Sequence, residues 1–352
     1  MGVPATSVPA LDTPATATPA GRPARQYVRI AGWGKYAPAR VMDNHEIERL
    51  VDTSDEWIRA RTGIVERRIA APDETTGTMA VEAARAALDV AGVDPIDLDL
   101  VIVATGTPDH LSFPATGSLV QQALGATRAG GFDVGAGCGA FGYGLVVGAQ
   151  FVQTGALRNV LVVGADVMSR VVDWTDRGTC ILFGDAAGAV VLQPTGRPGG
   201  LLSFVLGSDG CGAPRLYIPA GGSKRPATHE TVEAREHFLK MDGREVFRFA
   251  TQVIPGSILE ALGKAGLTTA DLGLVIPHQA NIRIIDHARK KLELPPERMF
   301  TNVDRYGNTS SASVPVALCE ALEQDRIADG DVVAMCAFGA GLCWASAIWR
   351  WN

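Results

Sequence analysis

Two stretches of this chain repeat one another, and the repeat constrains the fold more than any other feature of the sequence. Residues 91–102 read AGVDPIDLDLVI and residues 265–276 read AGLTTADLGLVI, a constant spacing of 174 residues without a gap. In each half, a helical pattern, a short strand, a glycine-containing turn and a helix of small residues follow. One chance helix–strand match is the alternative, but agreement in order over roughly 60 residues favours a duplicated fold.

The repeated segments also indicate the class of fold. Each half alternates helical patterns with strands rich in Val and Ile, which is typical of βαβ units in a mainly parallel sheet covered by helices. Two such halves predict an α/β protein with five layers, α/β/α/β/α, and a central helix layer that both halves share. We place the halves at residues 27–195 and 196–352, and we expect a short strand at residues 299–303.

The first 26 residues differ in composition from the remainder of the chain. They contain five of its 20 prolines among Ala and Thr. Because such a composition cannot bury a core, we expect residues 1–26 to be a disordered extension and order to begin at about Tyr27. The stretch has no apolar segment of the signal-peptide type.

Composition excludes several classes of protein. The chain is 47% hydrophobic with a net charge of −6, so it is expected to be globular, and its acidic balance argues against nucleic-acid binding. The sequence lacks a run of 18 apolar residues, which predicts no membrane insertion. The six cysteines form no C-x-x-C pair, and none has a His at ligand spacing. This pattern predicts reduced thiols in a cytoplasm and no metal site.

Cys138 is the most informative single residue. It lies in FDVGAGCGAFGYG, after a predicted strand and at the start of a predicted helix. The helix dipole and free N–H groups favour a thiolate at that place, and the glycines allow a substrate carbonyl to approach closely. A buried core thiol is the alternative. The position favours a nucleophile at Cys138.

His278 and Asn308 lie at comparable places in the second half. His278 ends the strand pattern LGLVIPH, where side chains face the crevice in which α/β sheets bind ligands. Asn308, in RYGNTSSAS, lies in the turn that the repeat pairs with the Cys138 turn. The alternatives are a hydrogen-bonded edge histidine and a turn or N-cap asparagine. If duplication brings the two turns together, Cys138, His278 and Asn308 converge on one centre.

Three further segments have both a functional and a structural interpretation. The glycine turn at 336–344, CAFGAGLCW, could supply N–H groups to an oxyanion hole or be a tight hairpin. Trp57 and Arg61 share one face of a short helix that Thr53 is expected to cap. This face suits a purine and its phosphate, or equally a core Trp beside a solvated Arg. The basic helix at 282–292 is a candidate dock for an acidic partner or a solvated surface.

These motifs follow one another in a characteristic order: DTSDEWIRARTGI, the Cys138 turn, GDAAGAVV, VIPHQANIRII, GNTSSAS and FGAGL. Together, over residues 27–351, they resemble the β-ketoacyl-acyl-carrier-protein synthase III family, the condensing enzymes that start type II fatty acid synthesis. The resemblance implies the duplicated thiolase fold, in agreement with the internal repeat. It also implies a cytoplasmic homodimer that uses acyl-CoA and malonyl-acyl carrier protein as substrates and needs no cofactor.

The resemblance implies a role for each candidate residue. Cys138 would be the nucleophile that takes the acyl group from acyl-CoA. His278 and Asn308 would bind the enolate oxygen that forms when malonyl-acyl carrier protein loses CO2. The N–H groups of Cys138 and Ala340 would form the oxyanion hole. The other implied roles are promotion of CO2 loss by Phe338, CoA binding by Trp57, Arg61, Arg177 and Asn281, an acyl-pocket gate across the dimer by Phe113, and carrier-protein docking by Arg283, Lys290 and Lys291.

The sequence departs from the family pattern next to the nucleophile. Gly139-Ala140 follows Cys138 where Ala-Gly is usual, and Cys343 stands where Thr or Ser is more usual. The acyl starter therefore stays open, and a specialised starter ketosynthase or acyltransferase of polyketide or natural-product biosynthesis is a second hypothesis. A cysteine hydrolase of the papain type would carry a C-G-[SA]-C-[WY] signature that is missing here. A non-catalytic acyl-CoA-binding protein would not need the Cys, His and Asn set.

Overall fold

The computed structural model of this chain describes residues 26–111 and 113–352. The expected extension therefore lies outside the described residues, apart from Gln26, whose backbone N–H donates to the carbonyl of Gln153 at 2.9 Å. The first strand begins at Tyr27, as predicted. Within the described part of the chain, every helix is too short or too polar to cross a membrane.

Strands and helices alternate along both halves. The strands are β1 (Tyr27–Tyr36), β2 (Arg40–Asp43), β3 (Glu66–Ile69), β4 (Leu100–Ala104), β5 (Gly130–Val134), β6 (Val160–Val167), β7 (Asp185–Thr195), β8 (Gly200–Ser208), β9 (Leu216–Tyr217), β10 (Lys240–Met241), β11 (Leu272–Pro277), β12 (Val332–Gly339) and β13 (Cys343–Arg350). The α-helices are α1 (Asn44–Glu48), α2 (Asp55–Thr62), α3 (Thr76–Ala91), α4 (Thr116–Leu124), α5 (Ala140–Gln153), α6 (Arg177–Cys180), α7 (His229–Glu233), α8 (Gly243–Lys264), α9 (Ile282–Lys291), α10 (Val303–Tyr306) and α11 (Ser313–Glu323).

Two large sheets share one topology, which confirms the duplication. The first sheet has the strand order β1-β7-β6-β4-β5, and the second has the order β8-β13-β12-β11. Counted from β1 or from β8, the first two pairs are antiparallel and the third is parallel in both sheets. The two repeated sequence segments end in β4 and β11. They therefore occupy the same position in the two sheets.

Three local expectations are corrected. The sheets are mixed rather than mainly parallel, because β7 and β13 each run antiparallel to both neighbours. The strand expected at residues 299–303 is reduced to one parallel bridge between Val275 and Met299, at the place that β5 takes in the first sheet. Ser54, rather than Thr53, caps α2, because the adjacent residue has the extended backbone and a hydroxyl that accepts the N–H of the third helical residue.

The helices complete five layers. α5 and α11 lie between the sheets and pack against strands of both, while α3 and α4 cover the outside of the first sheet and α8 that of the second. Glycines in β6 and β7 let α11 and the turn before it pack closely against the first sheet. A Cβ at Gly164 would lie 2.4 Å from the carbonyl oxygen of Ser311, and one at Gly188 would lie 2.7 Å from the nitrogen of Val316. This central layer brings together the turns that precede α5 and α11.

Candidate active site

A cavity of about 300 Å³ lies where the turns before α5 and α11 meet. Its wall contains Cys138 from the first half and His278, Asn308, Phe338 and Ala340 from the second. The convergence expected from the duplication is therefore present in the structure. The remaining wall is mostly apolar and comes from both halves of the chain. It includes Met168, Val171, Leu182 and Phe183 of the first half and Leu216, Leu239, Met241, Val246 and Phe247 of the second.

Cys138 lies in a short 3-10 turn, Gly137–Gly139, directly before α5. The residue is 8% exposed, and the hydroxyl of Ser310 donates a hydrogen bond to its Sγ at 3.3 Å. Burial raises the pKa of Cys138 to about 12, and the hydrogen bond from Ser310 opposes that rise. The thiolate expected from the helix position is therefore corrected. The free site holds a thiol, because desolvation of the charged form outweighs the local donors.

The glycine turn after β12 packs directly against the Cys138 turn. A Cβ at Gly339 would lie 2.3 Å from the Cys138 nitrogen, and a Cβ at Gly137 would lie 2.7 Å from the Ala340 nitrogen. Only residues without a side chain permit this approach. The backbone N–H groups of Cys138 and Ala340 consequently lie in adjoining turns at the cavity wall.

The two departures from the family pattern meet in space. The Cys343 thiol contacts the carbonyl oxygens of Ala136 at 2.7 Å and Ala340 at 3.2 Å. A Cβ at Gly139 would lie 3.3 Å from the Cys343 sulfur, so glycine leaves room for this side chain. Neither Gly139 nor Cys343 lines the cavity. The two departures therefore change the packing behind Cys138 rather than the cavity wall.

His278 follows β11 and is 1% exposed. Its backbone N–H donates to the carbonyl of Cys336 at 2.7 Å, and its Nδ1 lies 2.5 Å from the Oγ of Ser313. The ring meets that of Phe338 edge to face, with the ring centroids 5.3 Å apart. Burial lowers the pKa of His278 to about 3, because desolvation disfavours the imidazolium. The imidazole is therefore neutral near pH 7.

Asn308 is held so that its amide has one orientation. Its backbone N–H donates to Leu182 at 2.8 Å, and its carbonyl accepts from Gly184 at 3.1 Å. The side-chain Oδ1 accepts the N–H of Ser310 at 2.9 Å. Because the oxygen end is occupied, the Nδ2–H₂ end is left for the cavity that Asn308 lines. Asn308 and His278 together offer the cavity two neutral N–H donors.

Sequence reasoning missed three polar residues that support the site. Asp166 is fully buried and accepts hydrogen bonds from residues 105–107 and from the N–H and Oγ of Ser311. Ser310, which contacts the nucleophile, has a left-handed φ of 52°, a costly conformation for a residue with a Cβ. Ser313 is the partner of the histidine ring. The hydroxyl-rich run GNTSSAS was the available signal, since buried hydroxyls need partners.

An aromatic and cationic cluster lies near the cavity. The Arg177 guanidinium is 4.2 Å from the centre of the Trp57 ring, and that of Arg61 is 5.7 Å from it. Asn281 lines the cavity, and its Nδ2 donates to the Arg61 carbonyl at 3.1 Å. The four residues expected to bind CoA therefore form one connected group that reaches the cavity.

The basic helix α9 begins beside the same cavity. Its N-cap is Asn281, and the Arg283 guanidinium lies 5.5 Å from the ring of Phe247, a wall residue. Arg283 and Lys291 are exposed, whereas Lys290 pairs with Asp286 at 2.6 Å. Arg283 is thus an exposed cation of α9 that lies against a residue of the wall.

Phe113 is placed differently from the other candidate residues. Its side chain is 92% exposed and does not line the cavity of its own chain. The exposed Phe113 ring therefore has a large apolar surface that the described residues leave uncovered. This position is compatible with a contact to a second subunit.

A duplicated five-layer fold with a cysteine before the first central helix defines the thiolase-fold class of acyl-transferring enzymes. Comparison with known families agrees with this class. Residues 132–210 match 3-oxoacyl-[acyl-carrier-protein] synthase III, and residues 262–351 match the C-terminal part of the same family.

Individual relatives cover nearly all of the chain. The β-ketoacyl-[acyl-carrier-protein] synthase III of Symbiobacterium thermophilum is 54% identical over 325 residues, which is 92% of this chain and 98% of that one. The crystal structure of the Thermus thermophilus synthase III is 47% identical with a TM-score of 0.85, covering 92% of this chain and 99% of that chain. The priming β-ketosynthase of the R1128 polyketide pathway is 40% identical with a TM-score of 0.87, covering 95% and 99%. The chain belongs to the β-ketoacyl-[acyl-carrier-protein] synthase III family of condensing acyltransferases.

Proposed function

We propose that the protein condenses an acyl-CoA starter with malonyl-acyl carrier protein, giving β-ketoacyl-acyl carrier protein, CO2 and free CoA, the first condensation of fatty acid synthesis. The observation that carries this proposal is the meeting of Cys138, His278 and Asn308 on one largely apolar cavity. A nucleophile and two neutral donors around one point suit a reaction that builds charge on a thioester oxygen.

Cys138 starts the reaction as the nucleophile. Its sulfur attacks the thioester carbonyl of acyl-CoA, and the N–H groups of Cys138 and Ala340 bind the oxyanion. Collapse of the intermediate breaks the bond to the CoA sulfur, and the proton lost by the cysteine leaves with CoA as a thiol. The products are acyl-Cys138 and free CoA. The raised pKa of Cys138 fits a thiol that loses its proton only during attack.

His278 and Asn308 serve the second half-reaction. As malonyl-acyl carrier protein loses CO2, the electron pair of the broken C–C bond moves onto the thioester oxygen, which accepts hydrogen bonds from both side chains. The enolate carbon then attacks the carbonyl of acyl-Cys138, and the bond from that carbonyl to the cysteine sulfur breaks. The released thiolate takes up a proton from solvent, which restores the thiol. Phe338 presents an apolar ring beside His278, which disfavours a bound carboxylate and promotes its loss. No metal or cofactor is needed, because the thioester itself stabilises the carbanion.

The surrounding residues bind the two carriers. Trp57, with Arg177 stacked on it and Arg61 nearby, would hold the adenine and a phosphate of CoA, and Asn281 would contact its arm. The exposed cations of α9, Arg283, Lys290 and Lys291, would dock the acidic carrier protein.

We further propose a homodimer, in which Phe113 reaches the acyl pocket of the partner subunit as a gate. Its exposure of 92% supports a contact outside its own chain.

The halves 27–195 and 196–352 would act as one unit, because each supplies part of a single site. All six cysteines are free, which supports a reducing compartment such as the cytoplasm.

One assay tests the proposal. The purified protein is incubated with acetyl-CoA and malonyl-acyl carrier protein, while CO2 release and the mass of the Cys138 peptide are followed. We expect a stable acyl adduct with acetyl-CoA alone and CO2 release with both substrates. Cys138→Ala should form neither the adduct nor the β-ketoacyl product, whereas the control Cys211→Ala, at the exposed cysteine, should form both. Hydrolysis of peptides, or acyl-CoA binding without an adduct, would reject condensation.

A specialised starter ketosynthase is the second candidate function. It is favoured by the 40% identity to a priming β-ketosynthase of a polyketide pathway. A panel of linear, branched and aromatic acyl-CoA starters separates the two. Preference for acetyl-CoA or short branched starters favours fatty acid synthesis, and preference for a longer or aromatic starter favours the specialised role.

A further inference from the structure

We infer that Ser313 selects the tautomer of His278, by donating its hydroxyl proton to Nδ1 so that Nε2 carries the proton offered to the substrate. Ser313 is then a positioning residue that acts through His278 without touching the substrate. The inference rests on the proposed function, and it adds a residue and a proton position to it.

The contact between the two side chains is close and dry. The Oγ of Ser313 lies 2.5 Å from Nδ1 of His278, and the two residues are 2% and 1% exposed. Ser313 is the first residue of α11, so its backbone is held by the helix that lies between the two sheets. The direction of this buried hydrogen bond decides which ring nitrogen carries the proton.

Counting donors and acceptors around the hydroxyl gives the direction. The backbone N–H of Gln279 also donates to Oγ of Ser313, at 3.4 Å. Among the described residues, Nδ1 of His278 is the acceptor within reach of the hydroxyl proton. If Nδ1 carried a proton instead, two N–H groups would point at Oγ and the hydroxyl proton would have no partner. A buried donor without a partner is destabilising, so the hydroxyl donates.

The other ring nitrogen faces the substrate. His278 lines the cavity and Ser313 does not, so the Nδ1 edge is turned away from the cavity and the Nε2 edge is left for it. A protonated Nε2 can donate to the enolate oxygen, whereas a bare Nε2 would repel it. Asn308 is set in the same way, because the Ser310 N–H occupies its oxygen and leaves the amide N–H₂ for the substrate.

The tautomer can be read without any substrate. The full-length protein is labelled with ¹⁵N in the histidine rings, and long-range ¹H–¹⁵N spectra distinguish protonated from bare ring nitrogens. His278→Asn identifies the signal of interest among the six histidines. We expect a bare Nδ1 and a protonated Nε2 in the parent protein, and a gain of the Nδ1-protonated form in Ser313→Ala. A protonated Nδ1 in the parent protein would overturn the inference.

The kinetic test separates positioning from general stability. In Ser313→Ala we expect condensation by acylated enzyme to fall by roughly 10- to 100-fold, less than the loss of an oxyanion donor itself, and acylation of Cys138 to change less than twofold. Ser313→Thr keeps the hydroxyl and should recover most of the rate. The control Ser257→Ala removes a buried hydroxyl that bonds Ser346, outside the cavity wall, and should leave both rates unchanged per folded enzyme.

Different results would reject the proposed condensation reaction and the positioning role of Ser313. A parent protein that shows the Nε2–H tautomer but does not condense the substrates would reject the proposed function and leave the tautomer assignment intact. Equal loss of acylation and condensation in Ser313→Ala, or no recovery in a folded Ser313→Thr, would reject positioning by the hydroxyl.

Discussion

At the scale of the residue, the site works with neutral groups. Burial keeps His278 unprotonated and Cys138 as a thiol, because a charge without a partner is costly in an apolar cavity. Asn308 adds an amide whose orientation is set by Ser310. In the proposed reaction, neutral donors would bind a developing enolate without holding the substrate carboxylate as an ion pair. The site would therefore stabilise the charge that forms in the transition state more than the charge that is present before it.

The lowered pKa of His278 gives a pH prediction. Because the folded pKa is about 3, the imidazole stays neutral from about pH 8 to about pH 5, whereas an ordinary histidine would be protonated near pH 6.5. Single-turnover condensation by acylated enzyme should therefore show no step near pH 6.5, and such a step would contradict the assignment. The stability of the fold, unlike this rate, should depend on pH in that range. Below about pH 6.5 the unfolded chain takes up a proton that the folded His278 refuses, so the free energy of unfolding falls.

Asn308 provides a test of the division between half-reactions. In Asn308→Ala, acylation of Cys138 should persist within about threefold, and condensation should fall by roughly 10² to 10³, the usual effect of losing one preorganised donor. Asn308→Asp keeps an oxygen for the Ser310 N–H but has no amide donor, so it should be equally defective. Mass spectrometry of the acyl adduct and CO2 release measure the two steps. Equal loss of both steps would contradict the role.

At the scale of the element, the cavity is built at the beginnings of three helices. α5 starts after the Cys138 turn, α9 starts directly after its N-cap Asn281 on the wall, and α11 starts at Ser313 behind His278. Helix beginnings carry free N–H groups and a partial positive charge, which suit an oxyanion, a phosphate or an acidic partner. The glycines at 137 and 339 matter because they let two such turns touch.

The docking role of α9 can be tested by reversing one charge. Arg283→Glu should raise the KM for malonyl-acyl carrier protein about tenfold, because a cation at the rim becomes a repulsive anion. Acylation by acetyl-CoA alone should change less than threefold. The matched control Arg85→Glu reverses an exposed charge on α3, outside the cavity, and should leave the KM unchanged. An equal effect of both variants would show that net charge, rather than a docking surface, is responsible.

At the scale of the whole molecule, the two halves form one structure around one site. The Cys138 turn belongs to the first half, and the residues that surround it belong largely to the second. Asp166 links the two halves by hydrogen bonds. Its carboxylate accepts hydrogen bonds from residues 105–107 of the first half and from Ser311 of the second. A buried carboxylate with so many donors is stable only while both halves are in place.

Removing that charge should weaken the whole fold. Asp166→Asn leaves several buried donors without a full acceptor, and we expect the free energy of unfolding to fall by about 3 kcal/mol. The midpoint of urea unfolding measures the change. The control Asp329→Asn breaks an exposed pair with Arg197 and should cost less than about 1 kcal/mol. A similar small change in Asp166→Asn would show that this residue does not connect the halves.

Local sequence patterns were sufficient to predict the duplication and the positions of the candidate reactive residues. The repeat at 91–102 and 265–276 predicted two equivalent sheets, because local apolar periodicity survives in the chain wherever the same element recurs. Cys138, His278 and Asn308 could be found because each follows a strand pattern or a glycine turn. Such signals need only neighbouring residues, and so the start of β1 at Tyr27 was also predicted correctly.

The strand directions and the protonation of the site residues depend on packing in three dimensions, and the sequence did not predict them. The antiparallel course of β7 and β13 was missed, because a strand buried on both faces has the same composition in either direction. The protonation of Cys138 and His278 depends on burial by distant segments, and the Ser310–Cys138 contact joins residues 172 positions apart. Local sequence predicted which groups react, whereas packing across the two halves set their charge, their partners and the direction of their hydrogen bonds, since these depend on dielectric and distance in space.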